Sequence, residues 1–375
     1  MDVGVAGKRM YFLDNLRSFI ILLVVVFHVA MGYTTWNLEW WYVNDIQKSK
    51  VFDMFILETD VYIMPIMFLL AGYFAPAVFL KKGMGLFWQD KLRSIVLPWI
   101  GGVLLLAPLI AYSAIFSRTD TPPNYISFWV NNFFGEHYQQ AHFWFLGILT
   151  LFFLLFTAAC KQYPAYFERS TDAGKPSLLF FSFFALLSAV PFFVSNLFFW
   201  SEAWVNCKFL FVFQPVRIGL YLCYFGLGVY AWKKAWFTCD GYKPQLRIWG
   251  VAAIIMLIIF LAYRVAFTLG ATIPVLYKAG HALVYAVFCL TVTFACIALF
   301  QRVADSHAYV WRRLAANSYI IYFIHQCVII PLAYMVQKIH LNIWLKYVGV
   351  SVTGVVLCFL LAEYVINPLV YSKKQ

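Results

Sequence analysis

Apolar residues in this chain run in long blocks that are separated by short polar loops. A helix that crosses a membrane needs roughly 20 mostly apolar residues, and about ten blocks of the sequence reach that length. The pattern therefore predicts an all-α integral membrane protein, a bundle of about ten transmembrane helices, with residues 1–375 as a single transmembrane domain. The predicted spans are 14–34, 59–80, 94–117, 142–161, 177–199, 209–232, 246–269, 277–302, 317–337 and 343–370.

Composition supports lipid as the main solvent of the folded chain. Of the 375 residues, 63% are hydrophobic and only 12% are charged. A soluble domain carries about 25% charged residues, so this chain has too few of them to cover a surface in water. The aromatic content of 21% fits belts of rings at the membrane interfaces. The lipid bilayer is therefore an expected partner.

The distribution of cations predicts the orientation of the bundle. Most of the 28 lysines and arginines fall in one set of alternate loops, which includes both chain ends. Because cytoplasmic loops carry the excess of lysine and arginine, we expect both the N- and the C-terminus in the cytoplasm. The formal net charge of +12 then reports topology, and no nucleic-acid partner is expected. The first apolar run continues past His28 without a cleavage site, so it should stay as a helix.

Several kinds of chemistry find no support in the sequence. The eight cysteines form no C-x-x-C pair, and most lie inside apolar runs, where small apolar packing explains them. The seven histidines have no metal-ligand spacing, so no metal site is expected. No Walker loop, G-x-S-x-G elbow or dinucleotide fingerprint is present. We therefore expect no tightly bound cofactor.

Ionisable residues inside the predicted spans are the first functional candidates, because they are costly in a membrane. Arg17 and His28 are eleven residues apart in the first span. At about 100° per residue they share one helix face, with about 16 Å between them along the axis. Taken alone, His28 can be a packed residue and Arg17 a snorkelling one.

Five segments together resemble the membrane acyltransferases of family 3. The first contains that family's R-x10-H arrangement, and the others resemble its aromatic-rich glycine motif, basic loop, His-x-Trp-Phe-Leu helix start and late Tyr-x-x-His segment. In chain order they are YFLDNLRSFIILLVVVFH (11–28), MFLLAGYF (67–74), KLRSIVLP (91–98), HFWFLG (142–147) and SYIIYFIHQ (318–326). The FLDNLR start resembles the glucan biosynthesis protein C branch, which succinylates osmoregulated periplasmic glucans.

The chain departs from that family pattern at two positions. Ala71 stands where the family commonly has a serine, so no hydroxyl chemistry is assigned there. Lys91 replaces one of two frequent arginines, which keeps the charge but loses the planar fork that grips phosphate in a bidentate manner. Arg93 keeps that fork.

The resemblance implies transfer of an acyl group across the membrane. Such an enzyme takes an acetyl or succinyl group from cytoplasmic acyl-CoA, a co-substrate, and places it on a hydroxyl of an extracytoplasmic glycan. A neutral His28 would be the general base, and Arg17, Lys91 and Arg93 would bind the anionic nucleotide of acyl-CoA. The resemblance also implies a multi-pass protein of the bacterial cytoplasmic (inner) membrane.

Residues near the predicted outer ends of the spans are candidates for acceptor binding. Aromatic rings with polar neighbours suit a sugar, although an interfacial aromatic belt is the simpler explanation of each tryptophan taken alone. Arg217, deep in its span, can contact substrate or form an interhelical ion pair. The acceptor-binding candidates are Trp36, Trp40, Glu136, His137 and His142, with Arg217 and His325 as further substrate contacts.

Three other functions remain open at this level. Membrane-bound O-acyltransferases of another class also carry an intrahelical histidine, but not in the first helix. A transporter or flippase for a sugar or lipid-linked intermediate would tend to have matched broken helices, and the prolines here form no such pair. A purely structural membrane subunit leaves the R-x10-H geometry unexplained. The acyl group, the acceptor and the oligomeric state are not encoded in any readable pattern.

Overall fold

Helices make up most of the described chain, because backbone polar groups in lipid must be satisfied within each segment. A computed structural model describes residues 10–36, 41–167, 174–269 and 274–371. The α-helices are α1 (Tyr11–Met31), α2 (Lys50–Lys91), α3 (Leu97–Gly101), α4 (Ala107–Arg118), α5 (Tyr125–Ser127), α6 (Trp144–Gln162), α7 (Leu178–Phe198), α8 (Pro215–Lys233), α9 (Leu246–Leu269), α10 (Val275–Val303), α11 (Tyr309–Val336), α12 (Ile343–Leu360) and α13 (Asn367–Tyr371).

Shorter elements fill several of the junctions. Turns of π-helix occupy Leu92–Val96, Gly102–Leu106, Phe128–Asn132 and Leu361–Ile366, and 3-10 turns occupy Ala141–Phe143 and Pro164–Phe167. Two short antiparallel strands, β1 (Val205–Cys207) and β2 (Phe211–Phe213), form a hairpin before α8. The predicted span 209–232 therefore starts too early, because Phe211–Phe213 pairs as a strand and the helix begins at Pro215, a residue well suited to a first helical turn.

Among the described residues, eight helices are long and apolar enough to cross a membrane. The prediction of an all-α membrane protein is confirmed at this level. One helical run, Lys50–Arg118, is 69 residues long and contains two of the predicted spans. Gly83 interrupts it with φ 71°, a backbone conformation that glycine adopts without a steric penalty. The number of ten crossings stays a prediction.

Helix α1 lies inside the bundle. It packs against α2, α10, α11 and α12. Within its most apolar stretch of 18 residues 61% is buried, compared with 6% in the corresponding stretch of α9. A helix that is apolar on all sides is stable only when other helices or lipid surround it. Because helices surround α1, the side chains of its Arg17–His28 face meet protein as well as solvent.

Two glycines allow α2 and α8 to pack closely together. A Cβ added to Gly72 would lie 2.0 Å from the Phe225 carbonyl oxygen, and one added to Gly228 would lie 2.1 Å from the Leu69 carbonyl oxygen. Small residues let helix backbones approach in a membrane protein. The glycine of the MFLLAGYF segment therefore serves helix packing.

The loops separate into two ends of the bundle. Loop residues 32–36, 41–49, 119–140 and 199–214 lie together at one end, called here the cation-poor end, where they help to line one cavity. At the opposite, cation-rich end, the Asn15 side-chain amide donates to the Ala304 carbonyl oxygen at 2.7 Å. Tyr73 donates to the Trp236 carbonyl oxygen at 2.8 Å at the same end.

Candidate active site

A cavity of about 1120 Å³ lies at the cation-poor end. Its wall combines apolar and aromatic side chains with a few polar groups, which is typical of binding sites for small molecules. Six of the predicted site residues line it: His28, Trp36, Glu136, His137, His142 and Arg217. The sequence therefore located much of this wall, although the residues come from distant segments.

His28 is half-buried in the wall of the cavity. Its Nδ1 lies 2.8 Å from the Val24 carbonyl oxygen, one turn earlier in α1. A carbonyl oxygen only accepts hydrogen bonds, so in the neutral ring Nδ1 carries the hydrogen. The other nitrogen, Nε2, then holds a lone pair, and it is the atom available to accept a proton from a molecule in the cavity.

His325 lies directly behind His28, in α11. Its side chain is fully buried, and its Nε2 is 3.1 Å from Nδ1 of His28. Its Nδ1 is 2.6 Å from the Tyr322 carbonyl oxygen, so Nδ1 carries the hydrogen and Nε2 faces His28 with a lone pair. The Nδ1–H of His28 is therefore shared between the Val24 carbonyl oxygen and this lone pair.

His142 completes a row of three imidazole rings. Its ring centroid lies 4.4 Å from that of His325, and its Nε2 donates to the Phe323 carbonyl oxygen at 3.2 Å. The Tyr322 hydroxyl donates to the His142 carbonyl oxygen at 2.6 Å. The turn of α11 that carries His325 therefore also holds the start of α6 in place. All three histidines were predicted as site residues from the sequence, but their contact with one another was not.

Trp41 is the tryptophan that contacts His28. The two rings stack with centroids 5.6 Å apart and planes within 8° of parallel. Arg118 donates to the Trp41 carbonyl oxygen, and Ser117 donates to the Tyr42 carbonyl oxygen at 2.7 Å, which fixes this loop against α4. Trp36 lines the cavity and is 42% exposed. Trp40 lies outside the described residues.

Arg217 forms ion pairs with two carboxylates at another part of the cavity wall. Its guanidinium donates to Asp60 of α2, and to Glu202 of the 199–214 loop at 2.7 Å. Nearby on the wall, an Nη atom of Arg264 lies 3.4 Å from Nε2 of His281. Arg217 is thus the centre of an ion-pair cluster that faces the cavity, and the sequence signal for it was only its depth in an apolar span.

The three cations expected to bind acyl-CoA lie away from this cavity. Arg17 is in the second turn of α1, 3.4 Å from Asp14, with 38% of its side chain exposed. Lys91 places its ammonium over the Phe153 ring at 4.4 Å, and Arg93 is exposed in the π-helical turn that follows. None of the three is part of the cavity wall.

Comparison with known proteins identifies the family. The sequence profile of family 3, described as an acyltransferase domain, matches residues 10–363. The chain belongs to acyltransferase family 3. The resemblance of the five segments is thus confirmed over nearly the whole chain, and the row of three histidines is part of a family 3 protein.

Individual relatives of this family 3 chain share only a low sequence identity with it, over part of its length. It is similar to Glucans biosynthesis protein C of Salmonella paratyphi B and to the protein of the same name in Salmonella heidelberg. Each is 24% identical over 175 residues, which is 46% of this chain and 44% of the relative. The match therefore spans less than half the length of these relatives. No solved structure matches the chain.

Proposed function

We propose that this protein is a transmembrane O-acyltransferase, which moves an acetyl or succinyl group from cytoplasmic acyl-CoA to a hydroxyl of an extracytoplasmic glycan. The observation that carries the proposal is the fixed orientation of the His28 imidazole ring. Its Nδ1 is held by the Val24 carbonyl oxygen at 2.8 Å, which leaves Nε2 as a base at the wall of a large cavity. Membership of acyltransferase family 3 supports the reaction class.

The chemistry follows from that geometry. Nε2 of His28 removes the proton of the acceptor hydroxyl while the oxygen forms a bond to the thioester carbonyl carbon. The carbon–sulfur bond then breaks, and the leaving thiolate takes the proton back from Nε2, so that the products are the O-acyl ester and the free thiol. The Nδ1–H of His28 is shared between the Val24 carbonyl oxygen and Nε2 of His325, 3.1 Å away. Both contacts become stronger when Nε2 of His28 is protonated, which stabilises the charge between the two steps.

The donor would approach from the cation-rich end. The nucleotide of acyl-CoA carries several negative charges, and Arg17, Lys91 and Arg93 are cations that can bind phosphate oxygens there. Arg17 and His28 are separated by about 16 Å along α1, a distance that an extended pantetheine arm can cover. Acyl-CoA would therefore act as a co-substrate, with the thioester at His28.

The acceptor would occupy the cavity at the cation-poor end. Trp36, Glu136, His137 and His142 line its wall and offer ring faces and polar groups to a sugar, and Trp40 follows Trp36 by four residues in the sequence. The two Salmonella relatives are named for the biosynthesis of glucans. A glycan is therefore the acceptor class that we propose.

We further propose ten membrane crossings, both termini in the cytoplasm, and location in a bacterial inner membrane. Two exposed cysteines offer a direct test of orientation: Cys207 in β1, at the cation-poor end, and Cys239 in the loop after α8. A membrane-impermeant maleimide added to intact spheroplasts should label Cys207 and leave Cys239 unlabelled until the membrane is opened. Cys207→Ser and Cys239→Ser variants identify each signal, and the reverse pattern would refute the proposed topology.

The decisive experiment measures transfer of labelled acyl groups to total cell-envelope glycan. Acetyl-CoA and succinyl-CoA are tested as donors with the wild type, His28→Ala and Arg17→Ala. We expect His28→Ala to lower the rate by about 10²- to 10⁴-fold, the usual contribution of a general base, and Arg17→Ala to raise KM for the donor. His340→Ala, at an exposed histidine that does not line the cavity, is the matched control.

The same experiment separates an enzyme from a carrier. Labelling that depends on His28 but not on His340 supports acyl transfer and names the donor. Labelling that is absent with both donors, or unaffected by His28→Ala, would favour a transporter or flippase for a sugar or lipid-linked intermediate. In that case the Arg17–His28 face would serve packing alone.

A further inference from the structure

A second part of the cavity wall lies around Arg217 and is not used by the acyl-transfer chemistry. It is called here the Arg217 lobe and consists of Asp60, Glu202, Arg217, Tyr285 and the ring of Trp204, all of which line the cavity. Arg217 and Tyr285 are almost completely buried, with 5% and 4% exposure. Burial of a polar group costs free energy unless the group is hydrogen-bonded.

Two carboxylates bind one guanidinium at the centre of the lobe. One guanidinium nitrogen of Arg217 donates to Oδ2 of Asp60 and another donates to Oε2 of Glu202. Each carboxylate therefore uses one oxygen to bind Arg217. Among the described residues, the second oxygen of each, Oδ1 of Asp60 and Oε1 of Glu202, has no hydrogen-bond partner. These two atoms can accept hydrogen bonds from a molecule in the cavity.

Tyr285 adds a hydrogen-bond donor to the acceptors of the two carboxylates. Its hydroxyl is buried and has no hydrogen-bond partner within the described part of the chain, although a buried tyrosine hydroxyl usually finds one. The ring lies beside Arg217, with 6.0 Å between the guanidinium carbon and the ring centroid. The hydroxyl can both donate and accept, so the lobe presents acceptors and a donor together.

Aromatic rings complete the surroundings of these polar atoms. The Trp204 ring meets the Trp144 ring edge to face, with centroids 5.5 Å apart, and Trp144 stacks against Tyr221 at 6.0 Å. Trp204 remains 42% exposed at the cavity wall, so part of its ring surface can be covered by a ligand. Rings beside paired hydrogen-bonding groups fit a molecule with apolar C–H faces and a rim of hydroxyls.

We propose that the Arg217 lobe binds a neutral hexose ring of the acceptor glycan and thereby brings a hydroxyl of the chain to His28. This inference rests on the proposed acyltransferase function and assigns a subsite within it. The lobe carries one excess negative charge, which the nearby Arg264 on the same cavity wall offsets, so no net positive charge is left to attract the carboxylate of a succinyl group. Hydroxyl hydrogens of a sugar can instead donate to the two unpartnered carboxylate oxygens.

Tyr285→Phe is the cleanest test, because the hydroxyl has no hydrogen-bond partner to lose among the residues that the structure describes. We expect KM for the glycan acceptor to rise about 3- to 10-fold, the effect of one neutral hydrogen bond, with KM for acyl-CoA and the thermal unfolding midpoint unchanged. Glu202→Gln, at a side chain that is 45% exposed, should raise the acceptor KM about 10- to 100-fold. Tyr224→Phe, at a buried tyrosine outside the cavity wall, is the control and should change neither constant.

A binding experiment without acyl-CoA separates this inference from the proposed function. Tryptophan fluorescence of the detergent-solubilised protein is titrated with laminarihexaose, cellohexaose, maltohexaose and succinate. Binding of at least one hexasaccharide that weakens in Tyr285→Phe and Glu202→Gln supports the lobe, even if no acyl transfer is detected. Normal transfer with an unchanged acceptor KM in both variants overturns the lobe while the acyltransferase stands. Binding of succinate alone, or of none of the probes, also overturns it.

Discussion

Nε2 of His325 lies 3.1 Å from Nδ1 of His28, although the two residues are separated by most of the chain. Both rings turn their own Nδ1–H onto a backbone carbonyl oxygen of their own helix. The only lone pair that His325 offers therefore points at His28. His325 is a positioning residue for the base, comparable in role to the group that orients the histidine of a catalytic triad.

Replacing His325 tests this role directly. We expect His325→Ala to lower kcat for acyl transfer about 10- to 100-fold with little change in either KM, because a hydrogen bond to a charged group is lost. His325→Gln places an amide oxygen near the former Nε2 and should recover part of the rate. Equal rates for the Ala and Gln variants would show that His325 serves packing only.

Trp41 should matter more to the reaction than the exposed Trp36. Its ring stacks on His28 at 5.6 Å, and a stacked pair contributes about 0.5–1.5 kcal/mol beyond burial. We expect Trp41→Ala to lower kcat about 3- to 10-fold and Trp41→Phe to keep most of the activity. In the same steady-state assay, Trp36→Ala should raise the acceptor KM and leave kcat nearly unchanged. A larger fall in kcat for Trp36→Ala than for Trp41→Ala would contradict this assignment.

The buried ion pair between Asp45 and Lys346 should stabilise the loop that carries Trp41. The Lys346 ammonium lies 3.0 and 2.9 Å from the two carboxylate oxygens of Asp45. The Lys346 side chain is 0% exposed and the Asp45 side chain 4%. Lys346→Met leaves a buried charge unpaired and should cost about 3–5 kcal/mol in the free energy of unfolding, whereas Asp45→Leu with Lys346→Met should recover most of it. Thermal unfolding in detergent measures both effects.

The exposed Lys82–Asp90 pair is the control for that comparison. Its side chains are 39% and 43% exposed, and surface pairs contribute about 0–1 kcal/mol. Lys82→Met should therefore leave the unfolding midpoint nearly unchanged. A similar loss of stability in Lys82→Met and Lys346→Met would show that the buried position of Lys346 has no special effect.

Gly72→Ala should disrupt the packing of α2 on α8. The new Cβ would lie 2.0 Å from the Phe225 carbonyl oxygen, a backbone atom that cannot rotate away, so we expect a loss of about 3 kcal/mol or failure to assemble. Gly226→Ala meets no atom within 4 Å and should be neutral or stabilise the helix by up to about 1 kcal/mol. Yield and monodispersity after extraction, together with thermal unfolding, compare the two variants. Equal stability of both would contradict the close helix contact.

Much of the helical architecture can be predicted from the sequence, because apolar length alone decides whether a segment can lie in lipid. The structure places helices over every predicted span. The helix boundaries were less predictable. Helix α2 begins at Lys50, whereas the predicted span begins at residue 59. The Ser49 cap and the polar residues of the first turn carry no apolar signal, so the start of the helix was missed. The start of α8 was missed because three apolar residues before Pro215 pair as a strand.

The candidate site was predictable only within single segments. Helical periodicity put Arg17 and His28 on one face, and the family motifs drew attention to His142 and His325. Trp41 was not distinguished from the tryptophans beside it, because the loop path that brings it onto His28 depends on Ser117 and Arg118 of α4. Glu202 and Tyr285 carried no local signal at all.

The sequence by itself determined that this is a helical membrane protein whose motif segments resemble acyltransferase family 3, with Arg17 and His28 on one face of the first helix. Apolar length predicts the helices, periodicity predicts the shared face, and the motifs carry the resemblance; each is a property of one segment at a time. Only the tertiary structure decided that His325 and His142 stand behind His28, and that Asp60 and Glu202 converge on Arg217. Such neighbours come from helices far apart in the chain, and close packing of side chains between helices, which no single segment encodes, selects them.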